Sequence, residues 1–401
     1  MNEEKNDNIE LIMGDPKKAI IKLALPLMLT MLIMMLYNFA DSVWVAGLGA
    51  EALAAIGFIT PLYIILVGLG NGVAAGANSL IARSIGAEDY KQANNAALHS
   101  ILLSIVVSII FTVIMLVFME PLLEALGVGS TMQYAKEYSY VIFGLIFIFV
   151  FEELASAIFR SEGDIRRSTI AMAISAIINI ILDPLLIYVF NLGIAGAAWA
   201  TVLSSAIASI VMCYWIWSKK DLYLDLSLKN FNFQPDLIWD NLQVALPSTF
   251  ETLIFSALAI IINVLLVMAG GFSAVGSYTA AMRIVQFATL PIIAIGTAVL
   301  TVAGVAYGAK NVKNLNMALS YSIKISFAIS VAVVVLILLF SPQIASLFAY
   351  LFCFIFGWGL NGIYAGVVFG SFIGGLFGYI GAKYFIKKFN ESIEKNNVET
   401  S

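Results

Sequence analysis

The chain has 401 residues, of which 61% are hydrophobic and 11% are charged, with a formal net charge of −4 at pH 7. Its mean hydropathy of +0.96 excludes a water-soluble domain, because apolar runs of about 20 residues or more recur along the sequence. The composition therefore predicts an all-α, polytopic protein embedded in the lipid bilayer of the cell membrane. We expect a monomer without a nucleic-acid partner.

The apolar runs predict the helices in chain order. The first run, Ile20 to Val45, is too long for a signal-peptide core, and Asp15 and Pro16 before it form a typical helix start. The runs give roughly ten spans, or about eleven if the short run 343–357 also crosses. They lie near 18–46, 53–83, 93–118, 134–160, 168–190, 193–217, 237–268, 274–307, 316–340 and 359–388.

The two halves of the chain repeat one pattern, which indicates an internal duplication. The offset between matching segments is about 220 until Pro121 and Pro342, and then falls to about 166. The second copy therefore lacks roughly 56 residues near the 350/351 junction, the counterparts of helices 4 and 5. Matching segments include Ala24-Leu25-Pro26 with Ala245-Leu246-Pro247, and Gly193-Ile194-Ala195-Gly196 with Gly359-Leu360-Asn361-Gly362. We expect a six-helix first lobe (1–217), a linker (218–236) and a second lobe short of about two helices (237–401).

Lysine and arginine residues recur in alternate loops, which predicts the cytoplasmic side. They cluster before the first span, around Arg166 and Arg167, in the polar stretch Ser218 to Pro235, and near Lys387 at the end. Both termini and the linker should therefore be cytoplasmic, so the repeats are parallel. The run Ile344 to Trp358 is then too short to cross and should lie at the outer face after a helix that ends near Phe340. We expect faces of the shortened lobe to be open to lipid and transport to be weak or absent.

Four polar residues of the first half lie inside predicted spans, where charge is costly. Asp41 lies near the outer end of the first span, Asn179 and Asp183 share one face of the fifth, and Thr201 lies early in the sixth. If these helices are neighbours, their oxygens converge on a site for a shared proton or a bound cation such as Na⁺. The alternatives are packing hydrogen bonds for Asn179 and Thr201, and a cap before Pro184 for Asp183.

Other intramembrane charges have less defined roles. Glu152 and Glu153 are adjacent, so they point about 100° apart and should not face the same cavity. Glu251 and Arg283 have opposite signs, and a structural ion pair is the alternative to a substrate role. His99 is the only histidine, and one histidine builds neither a metal site nor a catalytic triad.

Several of these motifs together resemble the multidrug and toxic compound extrusion (MATE) family, closest to its archaeal and DinF-like branch. They are Tyr37-Asn38-Phe39-Ala40-Asp41 followed by Gly47-Leu48-Gly49, Ile85-Gly86-Ala87, Asn179 with Asp183-Pro184, and Gly193 with Gly196. The resemblance implies two six-helix lobes and export of cationic or amphipathic compounds in exchange for Na⁺ or H⁺. It also implies that Asp41, Asn179, Asp183 and Thr201 hold the coupling ion, that Pro26 is linked to bending of the first helix, and that Tyr138 lines the cavity. The missing block departs from the family pattern.

The sequence therefore predicts a secondary antiporter without a cofactor, with a small organic cation as substrate. Its cavity should lie between the lobes, lined by residues such as Met31, Met34, Met35, Tyr37 and Trp44.

Three alternatives stay open. A flippase for lipid-linked saccharides needs several basic residues for a pyrophosphate, and Arg283 is the only basic residue that we interpret as intramembrane. A membrane enzyme needs a convergent catalytic set, and the sequence has no HExxH or GxSxG motif. An inactive remnant is compatible with the shortened second lobe.

Overall fold

In a computed structural model, residues 2–218, 222–226 and 231–352 are described, and they are helical nearly throughout. Over these residues there is no strand, which confirms the all-α class. The helices are α1 (Asn2–Met13), α2 (Pro16–Ala46), α3 (Ala50–Gly86), α4 (Tyr90–Ala125), α5 (Met132–Gly144), α6 (Ile146–Ser161), α7 (Ile165–Pro184), α8 (Gly193–Ser218), α9 (Pro235–Gly308) and α10 (Val312–Phe352). A 3₁₀ turn (Gly129–Thr131) precedes α5, and a π-turn (Leu185–Val189) follows α7. The short helix α1 was not among the predicted elements.

Within the described ranges, 7 helical segments are long and apolar enough to cross a membrane. The bent pair Gly129–Gly144 and Ile146–Ser161 gives up to 8 if it forms one span. The chain is therefore a multi-pass membrane protein. The predicted last helix, 359–388, lies outside the described residues.

The start of α2 is the one that the sequence predicts. Asp15 is the N-cap, and its carboxylate accepts a hydrogen bond from the backbone N–H of Lys17 (3.0 Å). Pro16 occupies the first turn, where no backbone donor is needed.

The predicted helix 134–160 is wrong as a single element, because α5 and α6 meet at a 48° bend. Leu145 leaves helical geometry at φ −122°, and its N–H donates to the carbonyl of Ile142 (3.3 Å). Gly144 directly before it is a poor helix former, so the break falls where the helix is weakest.

The predicted ends at 268 and 274 are wrong as helix ends, because the backbone is helical from Pro235 to Gly308, although the chain turns back within this segment. Residues 269–273 contain Gly270 and Gly271, and small-residue pairs of this kind are sites at which helices bend. Contacts with α3 show that the two ends of α9 run in opposite directions. Along the first part of α9, residue numbers rise while those of their α3 partners fall, since Asn241 faces Gly76 and Thr252 faces Gly68. Along the last part, both sets of numbers rise together, since Thr301 bonds Asn78 and Val305 faces Gly86. The chain therefore reverses direction within α9.

The predicted helix end near Phe340 is wrong as well. Helix α10 continues from Val312 through Pro342 to Phe352. Membrane helices tolerate an internal proline because neighbouring groups satisfy the freed carbonyl. The predicted separate run Ile344 to Trp358 therefore begins inside α10, and its last six residues lie outside the described ranges.

Two clusters of buried apolar side chains fill the two ends of the bundle. The first-end cluster surrounds the start of α2 and contains residues of both halves, for example Ile20, Ile85 and Val302. The opposite-end cluster surrounds the end of α2 and contains first-half residues such as Val45, Met119 and Ile142. Among the described residues, the halves therefore share a buried apolar core at the start of α2 and not at its end.

The described parts of the linker are bound to the first half at that same end. The carboxylate of Glu162 accepts hydrogen bonds from the backbone N–H groups of Tyr223 (3.0 Å) and Leu224 (2.9 Å). The imidazole of His99 is buried, accepts from the N–H of Gln234 (2.9 Å) and bonds the carbonyl of Asn95 (2.8 Å). His99 thus has a structural role that could not be assigned before its contacts were known.

Candidate functional site

The predicted coupling-ion residues come from three helices that pack together, α2, α7 and α8. Helices α2 and α7 lie side by side in matching register. The hydroxyl of Thr30 donates to that of Thr169 (3.0 Å) at one level, and the hydroxyl of Tyr188 donates to the carbonyl of Trp44 (2.5 Å) at the other. Asp41 on α2 lies between these two contacts along the helix axis. Asp183 on α7 lies at about the same height.

Helix α8 closes the site on the other side of α7. Its start passes close to the π-turn, since a Cβ on Gly196 would lie 2.7 Å from the carbonyl carbon of Leu186. Only glycine permits this approach. It places Thr201 against Asn179, whose side-chain amide donates to the threonine hydroxyl (3.4 Å). Thr201 in turn donates to the carbonyl of Ala197 (3.1 Å).

Oxygen atoms at this site are buried without hydrogen-bond partners. Asp183 is 0% exposed, and neither of its carboxylate oxygens has a partner. One oxygen of Asp41 and the amide oxygen of Asn179 are also unpartnered. A buried carboxylate in this state is costly and is stabilised by a proton or a cation. The cluster therefore fits the binding of H⁺ or of a hard cation that prefers oxygen ligands.

A conventional metal centre is a poor alternative within the described ranges. No group of three or more His, Cys, Asp or Glu side chains is positioned there to hold a metal ion. A cation at Asp41 and Asp183 would need the amide oxygen of Asn179 and the hydroxyl of Thr201 to complete its ligands, and all of these ligands are oxygens, which hard cations prefer.

A cavity of about 90 Å³ lies next to this site inside the first half. We expected a cavity between the halves, but the lining of this one comes from α2, α3, α6, α7 and α8 only. Of the predicted cavity residues, Met34 and Tyr37 line it. Its other polar or aromatic lining residues are Tyr63, Phe149, Glu152, Glu153, Ser175 and Ser205.

The remaining predicted cavity residues are not gathered around this space. Met31 packs against the first-end cluster, and Tyr138 is buried in the opposite-end cluster. The carbonyl of Pro26 accepts from the hydroxyls of Thr30 (3.0 Å) and Thr169 (3.5 Å). Glu251 is exposed, and the side chain of Arg283 lies outside the described residues, so the predicted ion pair between them stays a prediction.

The expectation that Glu152 and Glu153 do not face the same cavity is wrong. Both line it, because the space is wide enough to receive side chains that diverge by about 100°. Glu153 is paired with Arg160 on the same helix, at 4.0 Å between Nη2 and Oε2. Glu152 is 7% exposed and lies on the wall shared with Ser175 and Ser205.

With this geometry in view, the comparisons with known proteins define the class. The sequence matches the MatE family over residues 26–185 and 247–351. The chain belongs to this family, whose curated relatives are named multidrug export proteins and not enzymes.

Individual relatives agree with this membership. The chain is 28% identical over 279 residues to the multidrug export protein MepA of Staphylococcus saprophyticus, a match that covers 68% of this chain and 60% of MepA. It therefore spans less than two thirds of the length of this curated relative. Among solved structures, it resembles a MATE protein in the bent conformation (34% identity, 96% and 98% coverage of this and that chain, TM-score 0.89). It also resembles a MATE protein in the straight conformation (40% identity, 85% and 76% coverage, TM-score 0.82).

Proposed function

We propose that this chain is a secondary antiporter that exports cationic or amphipathic compounds in exchange for H⁺ or Na⁺. The observation that carries the proposal is the fully buried Asp183, whose two unpartnered oxygens lie beside Asn179 and Thr201 and at the level of Asp41. A carboxylate kept without a partner is expensive to maintain unless an ion occupies it during the working cycle. The name of the MepA relative supports export as the direction of transport.

Coupling requires that ion and substrate favour different conformations of the protein. Binding of H⁺ or Na⁺ reduces the negative charge between α2 and α7 and so changes how closely the two helices pack. Related MATE proteins occur in bent and straight conformations. We propose that Pro26 allows a corresponding change in α2, with both termini and the linker on the cytoplasmic side.

The flippase alternative is less compatible with the cavity. A pyrophosphate needs basic side chains, whereas neither lysine nor arginine lines the described cavity and two glutamates do. The shortened second lobe leaves an inactive chain as the remaining alternative, which a transport measurement decides.

The test is gradient-driven efflux from proteoliposomes of a fluorescent organic cation, under an imposed H⁺ or Na⁺ gradient. Asp183→Asn and Asp41→Asn preserve size but remove the ionisable group, so we expect the driven component to vanish while membrane insertion is unchanged. Asp7→Asn, the same substitution at an exposed position of α1, is the matched control and should transport like the parent.

Each variant is also made in a chain in which the two missing helices are restored. Driven export that survives either substitution in both backgrounds would contradict the site assignment. Absence of driven export in both parent chains would contradict the antiporter itself.

A further inference from the structure

We propose that Glu152 is the charge-selecting residue of the first-half cavity and binds the small ammonium head group of the substrate. This inference rests on the proposed export of organic cations. It adds the residue that binds the substrate and the chemical class of the bound head group. It concerns a residue separate from Asp41 and Asp183, which we assign to the coupling ion.

The size of the cavity sets the size of the head group. It holds about 90 Å³. An apolar cavity of about 150 Å³ in another protein holds a benzene molecule. A group the size of a methylated ammonium therefore fits, and the bulk of a larger drug must stay outside, in the open space beside α2 and α3.

The charge of the cavity favours a cation. Glu153 is paired with Arg160, whereas among the described residues no Lys or Arg lies within ion-pair distance of Glu152. A carboxylate buried to this degree without a positive partner is stabilised by any ligand that supplies one. Glu152 is thus the carboxyl group of the cavity that is available to pair with a cationic ligand.

The rest of the lining suits a quaternary or protonated amine. Tyr37 of α2 and Tyr63 of α3 contribute aromatic rings to the wall. Aromatic faces attract alkylammonium groups, and such contacts strengthen away from water. Met34 and Met172 add polarizable, adaptable surface that accommodates groups of varied shape.

The test is the binding of tetramethylammonium to the purified full chain in detergent, measured by titration calorimetry at mildly alkaline pH, where even a buried carboxyl group ionises. We expect Glu152→Gln to weaken binding about tenfold or more, because it removes the buried counter-charge. Glu51→Gln, at an exposed position of α3, is the matched control and should bind like the parent. The neutral molecule tert-butanol, of similar size, should bind neither variant nor parent measurably.

Two further arms keep the result decisive. Asp41→Asn should retain tetramethylammonium binding. If Asp41→Asn loses binding while Glu152→Gln retains it, the ammonium ion binds at the coupling-ion site and the proposal is overturned. In the unmodified chain, tetrapropylammonium should bind far more weakly than tetramethylammonium, and equal binding would also overturn it. This size series decides the matter even if Glu152→Gln fails to fold.

The outcome is separable from that of the antiporter proposal. Tetramethylammonium binding that depends on Glu152, without gradient-driven export, would contradict the antiporter and leave the cavity assigned to an ammonium ligand. Export that persists while Glu152→Gln leaves binding unchanged would contradict this inference alone.

Discussion

At the residue scale, the contact between α3 and α9 depends on glycines that lack a Cβ. A Cβ on Gly86 would overlap the carbonyl of Val305, and one on Gly308 would overlap the carbonyl of Arg83. A Cβ on Gly76 would overlap the side chain of Asn241. Backbone atoms cannot move aside as flexible side chains do, so these glycines fix how closely the two halves approach.

We expect Gly86→Ala to lower stability by about 1–3 kcal/mol, because the added methyl group overpacks a contact against backbone. The measurement is the thermal unfolding midpoint of the detergent-solubilised chain. Gly57→Ala in the same helix is the control, since a Cβ there meets nothing within 4 Å, and it should be neutral or stabilise by up to about 1 kcal/mol. Equal midpoints for the two variants would show that the close approach of α3 and α9 contributes nothing to stability.

At the element scale, helix α2 is the candidate moving part. It continues from Pro16 to Ala46 through Pro26, which has no N–H to donate to the carbonyl one turn earlier. The Pro26 carbonyl is itself bonded by Thr30 and Thr169, so the helix is held to α7 at the point where it is weakest. A change of charge at Asp41 and Asp183 acts on the same pair of helices, nearer the other end.

Pro26→Ala should therefore stop α2 from changing shape, because alanine restores the missing hydrogen bond. Spin labels at Lys18 and Ser42 report the length of the helix. Their distance should change with pH or Na⁺ in the parent and stay fixed in the variant. Pro61→Ala, inside α3, is the control and should leave the response intact. A response that persists in Pro26→Ala would show that the proline is a static feature of the helix.

At the scale of the whole molecule, the described ranges form a helical bundle whose outward faces are apolar. Exposed side chains such as Ile109, Ile181 and Phe255 suit contact with lipid tails rather than with water. The first part of α9 exposes Phe250, Ile254 and Leu258. That the second lobe is shortened and open to lipid stays a prediction.

The sidedness of the bundle is a prediction from its basic residues. Single cysteines are introduced at Ser227 in the linker and at Gly129 between α4 and α5, after Cys213 and Cys353 are replaced by alanine. A membrane-impermeant reagent added to intact cells should label position 129 and not position 227, because the basic residues predict a cytoplasmic linker. Breaking the cells should make position 227 reactive, and external labelling of position 227 in intact cells would reverse the topology.

The sequence by itself determined the class, the family and most helix starts. A membrane span can be recognised from hydropathy alone, because the thickness of the bilayer requires about 20 apolar residues in each helix that crosses it. The cap at Asp15 is equally local, because its carboxylate bonds a backbone group two residues away. The candidate ion site was also predictable, because a charge inside an apolar run is improbable without a role.

Only the tertiary structure decided which side chains meet. Helical periodicity separates Glu152 from Glu153 by about 100°, but it says nothing of the width of the cavity that both reach. The reversal inside α9 and the role of His99 at the linker likewise depend on contacts between residues far apart in the chain. Packing between helices sets these features, and packing is a property of pairs of surfaces that no single segment of sequence contains.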